Sequence, residues 1–130
     1  MPPQTTIPAK LVMLVCIFFL SNFQVFCQSE EEIFRKKIDS ISIAKPQTYI
    51  ELESVFGYNR FDTLLMRKLI KKSIEENYST GQAFAYNMLG TKYRNLSQYP
   101  KAIELHQKAL DIAIDANSDE FEILSLNMLG

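Results

Sequence analysis

A chain of 130 residues has room for one domain. Fourteen basic and fifteen acidic side chains nearly cancel, leaving a formal charge of −1, which gives neither nucleic acid nor an anionic membrane surface an electrostatic hold. A single histidine, His106, excludes a histidine-based metal cluster, and the four glycines are too scattered to form a phosphate-cradling loop.

Residues 1–27 contain one charge, Lys10, then an apolar run over residues 11–20 and a more polar stretch ending Val25-Phe26-Cys27. A basic start, an apolar centre of about ten residues and a small residue before a polar segment predict a secretory signal peptide, cut between Cys27 and Gln28. A retained membrane helix is the alternative. It needs about 20 mostly apolar residues, and Ser21, Asn22 and Gln24 interrupt this run. A lipid-modified Cys27 does not fit, because Gln24-Val25-Phe26 lacks the residues such a site needs. Both cysteines, Cys16 and Cys27, lie in this leader, so the mature chain has no thiol for a disulfide or for catalysis. Its 13 bases and 15 acids give it a net charge of −2. The expected destination is periplasmic, secreted or the extracytoplasmic face of a membrane protein.

From residue 29 onward the pattern is helical. Ser29-Glu-Glu-Glu32 has the form of a capping box, in which a hydroxyl and a carboxylate three residues on satisfy orphan backbone donors. Ile33, Phe34, Lys37, Ile38 and Ile41 follow as a helical stripe. Lys45-Pro46 breaks it, and Pro46 is placed to open a short helix reaching about Phe56. Gly57-Tyr58-Asn59 reads as a turn. Asp62 caps the next predicted helix, from Thr63 to about Glu76, with Leu65, Leu69, Ile70 and Ile74 on one side. Its basic residues Arg67, Lys68, Lys71 and Lys72 read as a solvated face, partly matched by Glu75 and Glu76. Asn77 ends it in a left-handed conformation. Ser79 or Thr80 then caps a helix from about Gly81 to Asn95, and another runs from Tyr99 to Ala116 with Pro100 in its first turn. Asn117 closes that helix, and Ser118 or Asp119 caps the last. No segment alternates with period two, so the fold class expected is all-α.

Asn87-Met88-Leu89-Gly90 recurs unchanged as Asn127-Met128-Leu129-Gly130, a spacing of 40 that also separates Asn77 from Asn117. The repeated unit is a long helix, a turn and a second helix. Tyr86, Leu89-Gly90 and Tyr93 on the first helix, with Ala102 and Ala109 on the second, resemble the tetratricopeptide (TPR) pattern over about residues 82–117. Gly90, Ala102 and Ala109 lack bulk and let the helices approach; Tyr86 and Tyr93 fill the space beside them. His106 stands where the family usually has Phe or Tyr, and Ile114 where a proline commonly ends the helix. An upstream unit, about residues 43–82, keeps the helix lengths but has Asp62 and Leu69 in place of the alanines. The organisation expected is a signal peptide at 1–27, leading helices at 28–61 and repeats at 62–130 in a helix-turn-helix α-solenoid.

The resemblance implies binding rather than catalysis. It places Phe84, Asn87, Thr91 and Arg94 on a groove that takes a protein or peptide partner. The variant of the family that clamps a carboxylate needs Lys and Asn where this chain has Asn87 and Thr91, so that mode is not expected. No cofactor, metal or catalytic residue is expected: His106 reads as a packed structural side chain, and Phe84, Met88 and the tyrosines as core. Two functions remain open, an exported interaction scaffold and the extracytoplasmic sensory region of a bacterial histidine kinase or transcriptional regulator. A helix pair cannot bury its apolar face alone, so Ile123, Leu124, Leu126 and Leu129 are expected to lack a cover, as in the N-terminal piece of a longer repeat protein.

Overall fold

The structure, a computed structural model, describes residues 6–130, with the backbone alone at Phe26 and Cys27. Helices α1 (Ala9–Ala44), α2 (Tyr49–Phe56), α3 (Thr63–Glu75), α4 (Ser79–Asn95), α5 (Tyr99–Asp115) and α6 (Asp119–Leu129) follow one another, with a 3-10 turn, Gly57–Phe61, after α2. No strand occurs among the described residues; the chain is all-α.

Two compact units divide the chain, Met1–Arg35 and Lys36–Gly130. In the first, the apolar side chains of α1 are exposed, among them Phe18, Phe19 and Leu20. By length and composition α1 can cross a membrane, with mean hydropathy 2.0 over its most apolar window. The first five residues of the expected signal peptide, and the side chains at its expected cut, lie outside the described residues. The helix start expected at Ser29 is not found: α1 runs unbroken through residues 29–32. Neither proline nor glycine occurs between residues 9 and 44, and extending a helix is far easier than nucleating one. Ser21 Oγ and Asn22 Nδ2, polar residues that interrupt the apolar run, donate to the carbonyl of Phe18 at 2.9 and 2.7 Å and are satisfied within the helix.

In the second unit the capping box lies elsewhere. Thr48, not Pro46, opens α2: Thr48 Oγ1 accepts from Glu51 N at 3.3 Å, and Glu51 Oε2 accepts from Thr48 N at 3.2 Å. The Thr48 hydroxyl, with the backbone N–H groups of Thr48 and Gln47, holds the Glu51 carboxyl pKa below its ordinary value. The expected turn after Phe56 is the 3-10 segment, entered at Gly57 with φ of +51°. Asp62 caps α3 as expected, its Oδ1 taking the Leu65 N–H at 2.7 Å. The buried face of α3 is rotated from the expected stripe: Leu65, Met66, Leu69 and Ser73 are buried, Ile70 is half-buried and Ile74 is exposed. The upstream unit does not keep the helix lengths either, since α2 has 8 residues and α4 has 17.

Helices α3, α4 and α5 end alike. Asn77, Ser97 and Asn117 take φ of 52°, 58° and 52°, evenly spaced by 20 residues. At each, two bonds close the last turn: Asn77 N to Ile74 O (3.2 Å) with Tyr78 N to Ser73 O (2.8 Å), Ser97 N to Arg94 O (2.9 Å) with Gln98 N to Tyr93 O (2.9 Å), and Asn117 N to Ile114 O (3.0 Å) with Ser118 N to Ala113 O (2.9 Å). This is the Schellman arrangement around a left-handed residue. The next helices begin two residues later, and no side chain caps α4 or α6 at Tyr78 or Ser118. Ser79 and Thr80 are already inside α4, so neither plays the expected capping role.

Burial repeats with the 40-residue period. Leu65 and Leu105, Leu69 and Ala109, Ser73 and Ala113, and Ala85 and Ser125 are all buried pairs. Helix α4 lies at the centre, packed against α3, α5, α6 and the 3-10 turn, with α2 on another side. The largest fully buried side chains are Phe56, Phe84 and Phe121.

Candidate partner-binding surface

The six packing residues expected from the repeat divide by burial. Leu89, Gly90, Ala102 and Ala109 are buried between α4 and α5, while Tyr86 and Tyr93 are half-buried beside them. Gly90 on α4 faces His106 on α5. A β-carbon there would lie 2.6–2.8 Å from the His106 ring, so the imidazole packs directly on the α4 backbone and only glycine leaves room for it. Gly81 has the same part under Tyr78, whose ring would meet a β-carbon at 2.4 Å. The Tyr78 hydroxyl donates to the carbonyl of Pro46, and burial raises its pKa above the ordinary phenol value.

The four groove positions separate. Phe84 is fully buried, its ring 5.7 Å from Phe56 and 5.6 Å from Tyr49. Asn87 is also fully buried. Neither offers a side chain to a partner, which corrects the expectation for both. The reason is packing: α2 closes on one flank of α4 and α6 on the other, so these positions fill helix contacts rather than line an open channel. Thr91 and Arg94 remain half-buried at the far end of α4, where the Met128 sulfur lies 3.9 Å from Thr91 Oγ1 and 3.3 Å from Arg94 Nη2.

Asn87 joins three helices instead. Its Nδ2 donates to Ser125 Oγ on α6 at 2.8 Å, which leaves Oδ1 to accept the Nδ1 proton of His106 on α5 at 2.9 Å. His106 Nε2 is buried and has no hydrogen-bond partner. Burial, with Arg94 adding a like charge, lowers the imidazole pKa to about 4. The ring is therefore neutral at physiological pH and acts as a packed hydrogen-bond donor.

The sequence identified His106 as packed but missed the Asn87–His106–Ser125 link. Its one signal was the departure of His106 from the family's aromatic: a polar atom at a core position needs a partner, and Asn87 is the polar residue three before Gly90.

Comparison with family models, with curated proteins and with solved structures found no match.

Proposed function

We propose that this chain is a TPR-like helical repeat scaffold that binds a protein or peptide partner and performs no catalysis of its own. The observation that carries the reading is the 20-residue recurrence of one helix end at Asn77, Ser97 and Asn117, together with paired burial at a 40-residue spacing. Successive helices joined by turns of one geometry stack by a similar step, which is the plan of an α-solenoid. Stacked repeats present extended surfaces, and binding by surface is what this class of architecture offers. The half-buried end of α4, with Thr91 and Arg94, is the part of the expected groove that remains accessible for contact.

The test is photo-crosslinking in cells from an unnatural residue at position 91, compared with one at Glu104 on the exposed face of α5. A discrete crosslinked partner from position 91 that is absent from position 104, and lost on Arg94→Glu, supports the reading. Equal, diffuse labelling from both positions sinks it.

The proposal includes export. An N-terminal helix with exposed apolar residues suits a signal sequence or a membrane span, and a cleaved signal, or a span with its N-terminus inside, would place residues 28–130 on the far side of a membrane. The intact mass of the protein recovered from cells separates the two. A chain beginning at Gln28 indicates cleavage, a full-length chain in the membrane fraction indicates a retained anchor, and a full-length chain in the cytosol overturns export. A retained anchor would favour the sensory-region alternative, since such a region must remain tied to its membrane.

A further inference from the structure

We propose that the chain associates with a second copy of itself head to tail, through an exposed stripe on α3 of one copy and an exposed stripe on α6 of the next.

Leu64, Arg67, Lys71 and Ile74 are all exposed on α3. Their spacing of three, four and three residues keeps them on one side of the helix. Leu64 and Ile74 leave 55% and 53% of their surface in water, on the side away from buried Leu65, Leu69 and Ser73. On α6 the facing stripe is Asp119, Glu122, Ile123 and Leu126, with Glu122 half-buried, Asp119 exposed, and Ile123 and Leu126 60% and 48% exposed. The opposite side of α6 holds Phe121 and Ser125, both fully buried. Each stripe thus combines two apolar residues with two charges of one sign, and the signs are opposite.

The registers agree. On α6, Glu122 and Asp119 lie four and seven residues from Leu126; on α3, Arg67 and Lys71 lie three and seven from Leu64. At 1.5 Å per residue both helices carry their outermost charge about 10.5 Å from the apolar end. Antiparallel packing at the usual interaxial distance of about 8–10 Å brings Leu126 to Leu64, Glu122 to Arg67 and Asp119 to Lys71. Arg67 already donates to the Tyr93 hydroxyl at 3.3 Å, which steadies it at the surface.

Charge also determines which pairing forms. From residue 109 onward the chain has five acids, Asp111, Asp115, Asp119, Glu120 and Glu122, and no base. Two α6 stripes, or two α3 stripes, would set like charges against each other, so dimers built on like stripes are rejected. The mixed contact leaves an unused stripe at each end of the pair, so it propagates as a heterologous assembly does. The contact is small and partly electrostatic; it is expected to be weak and to depend on salt.

The test uses the full chain in a mild non-ionic detergent, which covers the apolar residues 11–20, and reads mass by sedimentation velocity. The wild-type protein is expected to grow beyond a monomer as concentration rises, and to revert in about 1 M salt, where the Debye length falls to about 3 Å. The double variants Arg67→Glu/Lys71→Glu and Asp119→Lys/Glu122→Lys are each expected to be monomeric alone. Mixed, they set the intact α6 stripe of one against the intact α3 stripe of the other, and the two charge-reversed stripes are again opposite in sign, so growth beyond a monomer is expected to return. This outcome survives fraying of α6 in the second variant, since its α3 stripe is unaltered. A monomeric wild-type protein at every concentration overturns the proposal. So does association that both double variants retain, which would come from residues 11–20, or a mixture that stays monomeric.

Discussion

His106 is a titratable residue used as a core residue, and its chemistry sets a pH window. Unfolded, its imidazole titrates near 6.5; folded, at about 4. The unfolded chain therefore binds the extra proton between those values, and stability rises with pH across that interval. The stabilisation is complete above about pH 6.5 and lost as pH falls toward 4. One pKa unit corresponds to about 1.36 kcal/mol, so the full effect is on the order of 3 kcal/mol. Urea midpoints of the wild-type protein are expected to fall between pH 6.5 and 4.5. His106→Phe, which keeps an aromatic ring over Gly90, should be less stable at pH 7 by about 1–3 kcal/mol because Asn87 Oδ1 loses its donor in the interior. In the same variant the decline below pH 6.5 should flatten. An unchanged slope would assign the pH dependence to carboxylates instead.

At the scale of the element, the helix ends make unequal demands on their residues. A non-glycine residue with positive φ is strained by about 1–2 kcal/mol, and asparagine escapes part of this by local hydrogen bonding. Asn77 and Asn117 suit their positions, whereas Ser97 holds the same conformation with φ of 58° and has a side chain less suited to it. Ser97→Gly is expected to stabilise the protein by about 0.5–1 kcal/mol, since the relief of strain exceeds the added entropy of the unfolded chain. Asn117→Gly should gain less. Equal gains in thermal melts of the two variants would mean that the serine bears no extra strain. Three asparagine and serine turns of one geometry also explain why α4 and α6 start without side-chain caps: the Schellman bonds fix the chain's direction, and the following helix begins two residues later whatever the side chain there.

For the whole molecule, the sequence shows the helical class and the 40-residue period, because periodic apolar residues and the Asn-Met-Leu-Gly repeat are local signals. Asp62, Asn77 and Asn117 were legible for the same reason, being residues whose own side chains or backbone set a helix end. What it hides depends on neighbours distant in the chain. Phe84 and Asn87 carry the spacing of groove residues, but α2 and α6 cover them; Ile74 fits a helical stripe that the packing of α3 turns outward; and Ser29 has a cap's chemistry inside a helix that does not stop. The link from Asn87 to Ser125 spans 38 residues and could not be read from either helix alone. That link bears on how the fold opens. Helix α6 is held by buried Phe121, by Ser125 on Asn87, by Met128 against Arg94, and by Glu120, whose carboxylate accepts the Tyr49 N–H at 3.1 Å. Its other face, with Ile123 and Leu126, is in water. Helix α4 is covered on more sides and α5 buries six residues against two on α6, so α6 is expected to open first as a unit. Hydrogen exchange should show residues 119–129 exchanging before the centre of α4. Asn87→Ala removes the bond to Ser125 and strands the His106 donor, and it should speed exchange in α6 by about tenfold or more, the equivalent of about 1.4 kcal/mol. If α4, α5 and α6 instead exchange together in both proteins, the second unit opens as one cooperative body, and the three-helix link does not hold α6 as a separate element.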